Sequence, residues 1–173
     1  STLASYLSTY NSKIKNAYWY YQVLVRPETK VFKKDFHGMG TLKLSVLVDP
    51  SEKLNRKILI TRSSGMKLFA LGSMSRIISF SGVLEMGGKE LNEFFREMET
   101  PAHDKWLPSR HSTNVPLAKE YNNELKDWIR GCIQTLGEHS SDDEIEVAGY
   151  AGVLQKESDK TNQRGDDSNK ESL

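Results

Sequence analysis

Two histidines and an aspartate stand close together in a polar stretch of the sequence. His103, Asp104 and His111 are residue types that bind zinc, but no cysteine accompanies them. A spacing of eight residues within a loop is not a recurring pattern of zinc ligands. We therefore favour a structural role, in which Trp106 is buried and a hydrogen bond to His103 pins the loop. The sequence predicts no metal site.

Nucleophilic catalysis has no candidate pair of residues in this chain. Ser63, Ser64 and Ser81 lack the GxSxG context of an activated serine. Cys132 falls on the apolar stripe of a predicted helix, where a thiol is usually an inert core residue. We therefore expect that the chain by itself is not an enzyme, and we assign it no catalytic residue.

Two common nucleotide-binding loops are also missing from the sequence. Neither GxxxxGK[ST] nor a GxGxxG between a strand and a helix occurs. Residues 35–40 (DFHGMG) have the two glycines of a DxGxG turn, but one residue too many separates Asp35 from Gly38. A hairpin turn is the favoured interpretation of this segment.

One lysine stands at a junction that could bring it to an anion. Residues 62–65 (RSSG) form a polar, glycine-containing turn between two apolar runs, and Lys67 lies near the start of the second run. A lysine ammonium on its long stem is a point charge that can reach a phosphate. Periodicity alone favours a plain solvated side chain at Lys67, so both interpretations stay open at this point.

Hydrophobic periodicity predicts one α+β domain over residues 1–137. Apolar residues recur at helical spacing in three segments and form short strand-like runs between the first two. The expected sheet is mostly antiparallel or mixed, has four or five strands and carries its helices on one face. Pro27 and Gly137 are expected to end the first and last helices. The predicted helices cover 3–24, 89–98 and 115–136, and the predicted strands cover 31–36, 41–48, 57–61, 66–71 and 76–86.

Composition changes at residue 138, where the predicted tail begins with acidic residues. Aromatic residues are nearly confined to 1–137, and residues 155–173 have almost nothing to bury. A segment that cannot bury apolar surface does not offset the entropy of ordering. We expect 138–173 to be largely disordered, with the apolar stretch 145–154 as a candidate docking segment.

The net charge bears on nucleic-acid partners, and the cysteine content bears on the cellular compartment. A net charge of +1 argues against broad coating of nucleic acid, but it allows weak phosphate contacts at Lys33, Lys34, Lys57 and Arg62. A single cysteine fits a reducing compartment, and we expect a cytoplasmic protein. No run of about eighteen apolar residues occurs, so we expect no membrane partner.

Two segments of the chain resemble the second lobe of prokaryotic GHKL ATPases related to MutL and to the MORC proteins. They are 58–75 (ILITRSSGMKLFALGSMS) and 80–110 (FSGVLEMGGKELNEFFREMETPAHDKWLPSR), with a looser likeness at 145–154. Bacterial members of this group are associated with restriction-modification or phage-defence loci. The resemblance implies a transducer lobe with a fold like that of ribosomal protein S5 domain 2.

In that family, one lysine of the transducer lobe contacts the γ-phosphate of an ATP that the preceding lobe holds with Mg²⁺. Residues 66–69 (MKLF) match the signature around this lysine, so the resemblance implies that Lys67 contacts ATP. The nucleotide-binding lobe, with its ExxxNxxD helix and DxGxG turn, is absent from these 173 residues. We therefore expect a piece of a longer ATPase that binds neither ATP nor Mg²⁺ alone.

Two functions remain open from the sequence. In the first, the chain is a non-catalytic transducer that couples ATP binding in the missing N-terminal lobe to DNA or a partner protein, within a homodimer of the parent. In the second, it is a protein-interaction module of a DNA-processing or defence complex, with no nucleotide role. The first requires Lys67 to be exposed at an edge of the lobe, whereas the second does not depend on Lys67.

Overall fold

The structure is a computed structural model that describes residues 12–158, with side chains described from 14 to 138. Within that range it contains a five-stranded sheet and three α-helices, so the predicted α+β class is confirmed. The start of the first predicted helix, 3–11, and the tail residues 159–173 lie outside the described residues. The helices are α1 (Ser12–Val25), α2 (Lys89–Glu97) and α3 (Val115–Ser158); the strands are β1 (Lys30–Asp35), β2 (Thr41–Val48), β3 (Ile58–Arg62), β4 (Lys67–Leu71) and β5 (Phe80–Gly87); a 3₁₀ turn covers Pro108–Arg110.

The five strands form a mixed sheet in the order β1-β2-β5-β3-β4. Neighbouring strands are antiparallel except β3 and β5, which run parallel. A parallel pair needs a crossover connection, and here β4 with the loop 72–79 provides it. β1 and β4 are therefore the two edge strands of the sheet.

Helices cover both faces of this sheet, which corrects the prediction that they pack on one face. Leu42, Leu44 and Val46 of β2 belong to the main core, which α2 and α3 cover. Leu47 of the same strand packs with Val23 of α1 in a second, smaller core. Because successive side chains of a strand point to opposite faces, α1 lies on the face away from α2 and α3. The central strands carry apolar residues on both faces, and one layer of helices could not bury them all.

Arg26, which directly follows α1, ties that helix to the loop between β2 and β3. Its guanidinium donates to Asp49 Oδ2 at 3.2 Å and to Glu52 Oε1 at 2.9 Å, and its Nε donates to Gln22 Oε1 at 2.9 Å. α1 ends at Val25, one residue beyond the predicted end. These contacts hold the end of α1 against the sheet.

The central strand β5 begins at Phe80, four residues later than predicted. Ile77 is 91% exposed, so the apolar residues before Phe80 do not continue the buried pattern of the strand. The backbone N–H of Ile78 donates to Ser75 Oγ at 3.1 Å, and Ser79 Oγ donates to Glu52 O at 2.7 Å. Serine side chains thus satisfy this segment as a loop, which is a frequent outcome for serine near backbone groups.

Helix α3 continues through Gly137 to Ser158, so the predicted end at residue 136 is wrong. A Cβ at Gly137 would lie 2.3 Å from Ile78 Cδ1, and the glycine therefore allows a close approach and does not cap the helix. Contacts divide the chain into residues 1–137 and 138–173, the same boundary as in the sequence. The backbone of 138–158 is helical, and the disorder expected for the tail from its poor burial stays a prediction.

The turn between β1 and β2 contacts the start of α2 at two glycines. A Cβ at Gly40 would lie 2.1 Å from Gly87 O and 3.0 Å from Leu91 Cβ. Gly88, with φ of 101°, would place a Cβ 2.7 Å from Gly40 Cα. The hairpin and the helix can therefore meet only while these positions lack side chains.

We predict that Gly40→Ala lowers the free energy of unfolding by about 2–3 kcal/mol, because the added methyl overlaps backbone atoms that cannot move easily. Urea denaturation followed by tryptophan fluorescence measures this change. Gly72→Ala is the matched control, since no atom lies within 4 Å of the Cβ it would add, and we expect a change below about 0.5 kcal/mol. Equal effects of the two variants would contradict the close approach.

Candidate functional site

The turn between β3 and β4 brings Lys67 to the edge of the sheet. Arg62 N–H donates to Met66 O at 2.9 Å, and Gly65 N–H donates to Arg62 O at 2.8 Å. Gly65 has φ of 79°, a left-handed conformation that favours glycine. Lys67 follows as the first residue of the edge strand β4, and its side chain is exposed.

A β-bulge separates Lys67 from the rest of β4. Leu59 pairs with Ala70, and Thr61 pairs with Lys67. Only Ile60 lies between the two pairs on β3, whereas two residues lie between them on β4. This two-against-one arrangement is a β-bulge, which changes the direction of the side chains beyond it.

The two residues of β4 at the bulge, Leu68 and Phe69, are both buried in the main core. Phe69 also packs edge-on against Trp106, with 4.9 Å between the ring centroids. Because the bulge absorbs one residue, Lys67 lies on the same face as its partner Thr61, which is the α1 face. A regular ladder would pair Lys67 with Arg62 on the opposite face.

Lys67 lines a cleft of about 770 Å³ on the α1 side of the sheet edge. One wall is formed by α1, the floor by β3 and β4, and the other wall by the loop 102–104. A second lysine, Lys57, lines the same cleft at the residue before β3. The other lining residues that matter below are Asn16, Tyr20, Leu59, Ala70, Ala102, His103 and Asp104.

Both lysines of the cleft are exposed and unpaired. Neither Lys57 nor Lys67 has a side-chain hydrogen bond or an ion pair with any residue in the part of the chain that the structure describes. Their ammonium groups are therefore free to contact an anion from outside the chain.

The buried carboxylate of Glu99 contacts two side chains near this edge, Arg62 and His103. Glu99 is only 7% exposed. Its Oε1 accepts from Arg62 Nη2 at 2.7 Å, and its Oε2 lies 3.0 Å from His103 Nδ1. Arg110 Nε donates to the Glu99 backbone oxygen at 3.1 Å. This network joins the β3–β4 turn to the loop wall of the cleft, and it confirms that His103 pins the loop with Trp106 buried.

Asp104 is the carboxylate among the residues that line the cleft. Its Oδ1 accepts from the Thr100 hydroxyl at 2.6 Å. This hydrogen bond holds the pKa of Asp104 below its usual value, so the carboxylate stays charged at neutral pH. The loop wall therefore carries a negative charge, whereas the sheet side carries two positive charges.

Tyr20 lies on α1, the wall of the cleft that faces the loop 102–104, and it is 8% exposed. Its hydroxyl is buried without a hydrogen bond of good geometry to any described residue. The nearby Asn55 amide donates to Asn16 Oδ1 at 3.2 Å. Burial raises the pKa of Tyr20 to about 12, and the neighbouring Asn55 side chain opposes this rise.

The remaining residues that the sequence assigned to weak phosphate binding are scattered. Arg62 is paired with Glu99, as described above. Lys34 donates to Glu124 Oε1 at 2.6 Å and lies over the Phe36 ring, on the core side of the sheet. Lys33 is exposed on β1, the edge strand farthest from Lys67. The structure therefore brings Lys57 and Lys67 together and leaves the others apart, and phosphate contacts at those residues stay a prediction.

Local contacts show where three other features of the sequence lie, namely the DFHGMG segment, His111 and Cys132. The DFHGMG segment is a hairpin turn, with Phe36 N–H donating to Gly40 O at 2.8 Å and Gly38 N–H donating to Asp35 Oδ2 at 2.8 Å. His111 is buried, and its Nδ1 accepts from Asn114 N–H at 3.2 Å, so it shares no ligand position with His103. Among the described residues, no group of three potential metal ligands occurs. Cys132 is buried in the core as predicted.

Comparisons of the chain with protein-family models, with curated proteins and with solved structures give no match. No helix of residues 12–158 combines the length and the apolar character needed to cross a membrane. The function has therefore to be inferred from the cleft, its charges and the elements that position them.

We predict that Glu99→Gln lowers the free energy of unfolding by about 2 kcal/mol, because Arg62 then loses its counter-charge in a largely buried position. Thermal or urea unfolding of the chain measures this loss. Glu90→Gln is a matched control, since Glu90 is exposed on α2 and has no partner among the described residues. In a double-mutant cycle, Arg62→Ala should remove most of the effect of Glu99→Gln, and strict additivity would contradict the ion pair.

Glu124 gives a pH-dependent prediction. Hydrogen bonds from Lys34 and then from His37, whose Nε2 lies 2.7 Å from Glu124 Oε2, hold the pKa of Glu124 below its usual value. A lowered folded-state pKa contributes stability that is present above the unfolded pKa and is lost as the pH falls through the folded pKa. Glu124→Gln should therefore cost about 0.5–1 kcal/mol near neutral pH and almost nothing once the pH lies below the folded-state pKa of Glu124.

Urea unfolding of both proteins across this pH range measures the difference. Glu120→Gln serves as the control, since Glu120 is exposed on the same helix and has no partner among the described residues. A cost of Glu124→Gln that stays constant from neutral to acidic pH would refute the charged contact.

Proposed function

We propose that this chain is the non-catalytic transducer lobe of a GHKL-type ATPase, in which it couples ATP binding in an N-terminal lobe to DNA or to a partner protein. The likeness of segments 58–75 and 80–110 to that lobe supports this proposal. The fold of ribosomal protein S5 domain 2, a homodimeric parent, a role in phage defence or restriction-modification and a cytoplasmic location belong to the same proposal and rest on the same likeness.

The observation that carries the proposal is the position of Lys67. It is the first residue of an edge strand, it is exposed, and it has no ion-pair partner among residues 14–138. A lysine that completes a phosphate site in a neighbouring lobe has to lie at the edge of its own lobe, and its ammonium group must not be paired with a carboxylate. The bulge beside Lys67 and the turn at Gly65 fix its backbone while the ammonium group stays free to move.

ATP and Mg²⁺ fit this proposal in different ways. Lys67 supplies the charge that a terminal phosphate requires. Mg²⁺ prefers carboxylate and phosphate oxygens, and the described residues do not gather such a set of ligands. The proposal therefore assigns Mg²⁺, adenine and ribose to the other lobe, and only the phosphate contact to this chain.

A protein-interaction module is the second candidate, and one observation favours it. Helix α3 is 44 residues long and includes the segment 145–154, which the sequence marks for docking. A helix can bind in a groove of a partner protein. In this case Lys67 has no role in nucleotide turnover, so one variant separates the two candidates.

We predict that Lys67→Ala slows ATP turnover of the protein that contains both lobes by about two orders of magnitude, the effect of removing one preorganised charge from a developing anion. Steady-state ATPase measurements on that protein test this. Its thermal unfolding should change little, because an exposed lysine contributes little to stability.

Lys30→Ala is the matched control, since Lys30 is the exposed first residue of the opposite edge strand β1. Unchanged turnover in Lys67→Ala would end the transducer proposal and leave the interaction module as the better candidate.

A further inference from the structure

A second lysine shares the cleft with Lys67, and the likeness to transducer lobes assigns it no role. Lys57 precedes β3, and its side chain lines the same cavity. We infer that Lys57 and Lys67 together bind the phosphate chain of a small oligophosphate, such as the triphosphate of a nucleotide. The cleft is then a two-lysine anion site that includes, but extends beyond, the single phosphate contact proposed above. This inference revises the expectation from the sequence that the chain alone binds no nucleotide, because it gives the chain its own contact with the phosphates.

The spacing of the two lysines suits a chain of phosphates. Lys57 lies four residues before Thr61, the direct cross-strand partner of Lys67, which separates the two backbones by about 13 Å along an extended strand. A lysine stem reaches about 6 Å, so the two ammonium groups can close on an anion a few ångströms long. Both residues lie on the α1 face, because Lys57, Leu59 and Thr61 alternate along β3.

The two lysines that line the cleft carry charges that no described carboxylate compensates. Glu99 accepts from Arg62 at 2.7 Å and contacts His103 at 3.0 Å, which removes both from competition for an anion. No described carboxylate contacts Lys57 or Lys67 within the distance of an ion pair. Asp104, on the opposite wall, is engaged with Thr100 and repels an anion toward the sheet side.

The shape of the cleft favours a small ligand. Its volume of about 770 Å³ lies within the range of small-molecule sites. α1 and the loop 102–104 stand on both sides of the floor. Leu59, Ala70 and Ala102 give the cleft an apolar part that does not compete with the lysines for the phosphates.

Binding of an oligophosphate by this chain does not depend on the proposed function, but a role of Lys57 in ATP turnover rests on it. Two measurements keep these claims apart. The first is calorimetric titration of the 173-residue chain with inorganic tripolyphosphate at low salt, where exposed charges are least screened. The second is steady-state ATPase of the protein with both lobes.

In the titration, Lys57→Ala and Lys67→Ala should each weaken tripolyphosphate binding about three- to fivefold, the scale of one exposed ion pair. Lys57→Arg should retain binding, because it keeps the charge. Asp104→Asn should tighten binding about twofold, since it removes the opposing charge. Lys30→Ala should leave the affinity unchanged. Thermal unfolding of each variant shows whether it is folded.

No tripolyphosphate binding by the wild type, or unchanged affinity in a folded Lys57→Ala variant, would overturn the inference. In the ATPase assay, Lys57→Ala should raise the KM for ATP about three- to fivefold. If both lysine variants lose tripolyphosphate affinity and neither changes ATP turnover, the anion site stands and the transducer proposal fails. If turnover falls in Lys67→Ala while Lys57→Ala is normal in both assays, the proposal stands and the inference fails.

Discussion

Burial of two consecutive residues on one face of an edge strand is the constraint on which the candidate site depends. Leu68 and Phe69 both pack into the main core opposite Ile60, which a regular strand would not allow. The sheet meets this demand with a bulge. The extra residue turns Lys67 away from the core and toward α1. A packing requirement therefore selects the face on which a charged side chain becomes available.

The contacts of Glu99 are a second constraint on the candidate site. Its buried carboxylate holds Arg62 at one end of the turn and His103 in the loop that walls the cleft. A buried ion pair contributes little net stability once the loss of hydration is counted. Its larger effect here is selective, because Glu99 pairs with Arg62 and contacts His103, whereas the two lysines of the cleft stay unpaired.

Much of this arrangement was predictable from local patterns, and the rest depended on contacts far apart in the sequence. Alternation located β2 over 41–48 with the bounds observed, and the RSSG turn located the start of β4 to within one residue. Periodicity could not reveal the bulge, because both Leu68 and Phe69 are apolar and fit either face. It also could not show that α1 covers the second face, that Glu99 pairs with Arg62, or that Gly137 packs against Ile78 inside a continuing helix.

Cys132, the single cysteine of the chain, is buried where α3 meets the sheet. Burial raises the pKa of its thiol, so little reactive thiolate exists while the helix is docked. A thiol reagent can then modify this residue only when the helix lifts or the core opens. The rate at which a thiol reagent modifies Cys132 therefore measures how often α3 separates from the sheet.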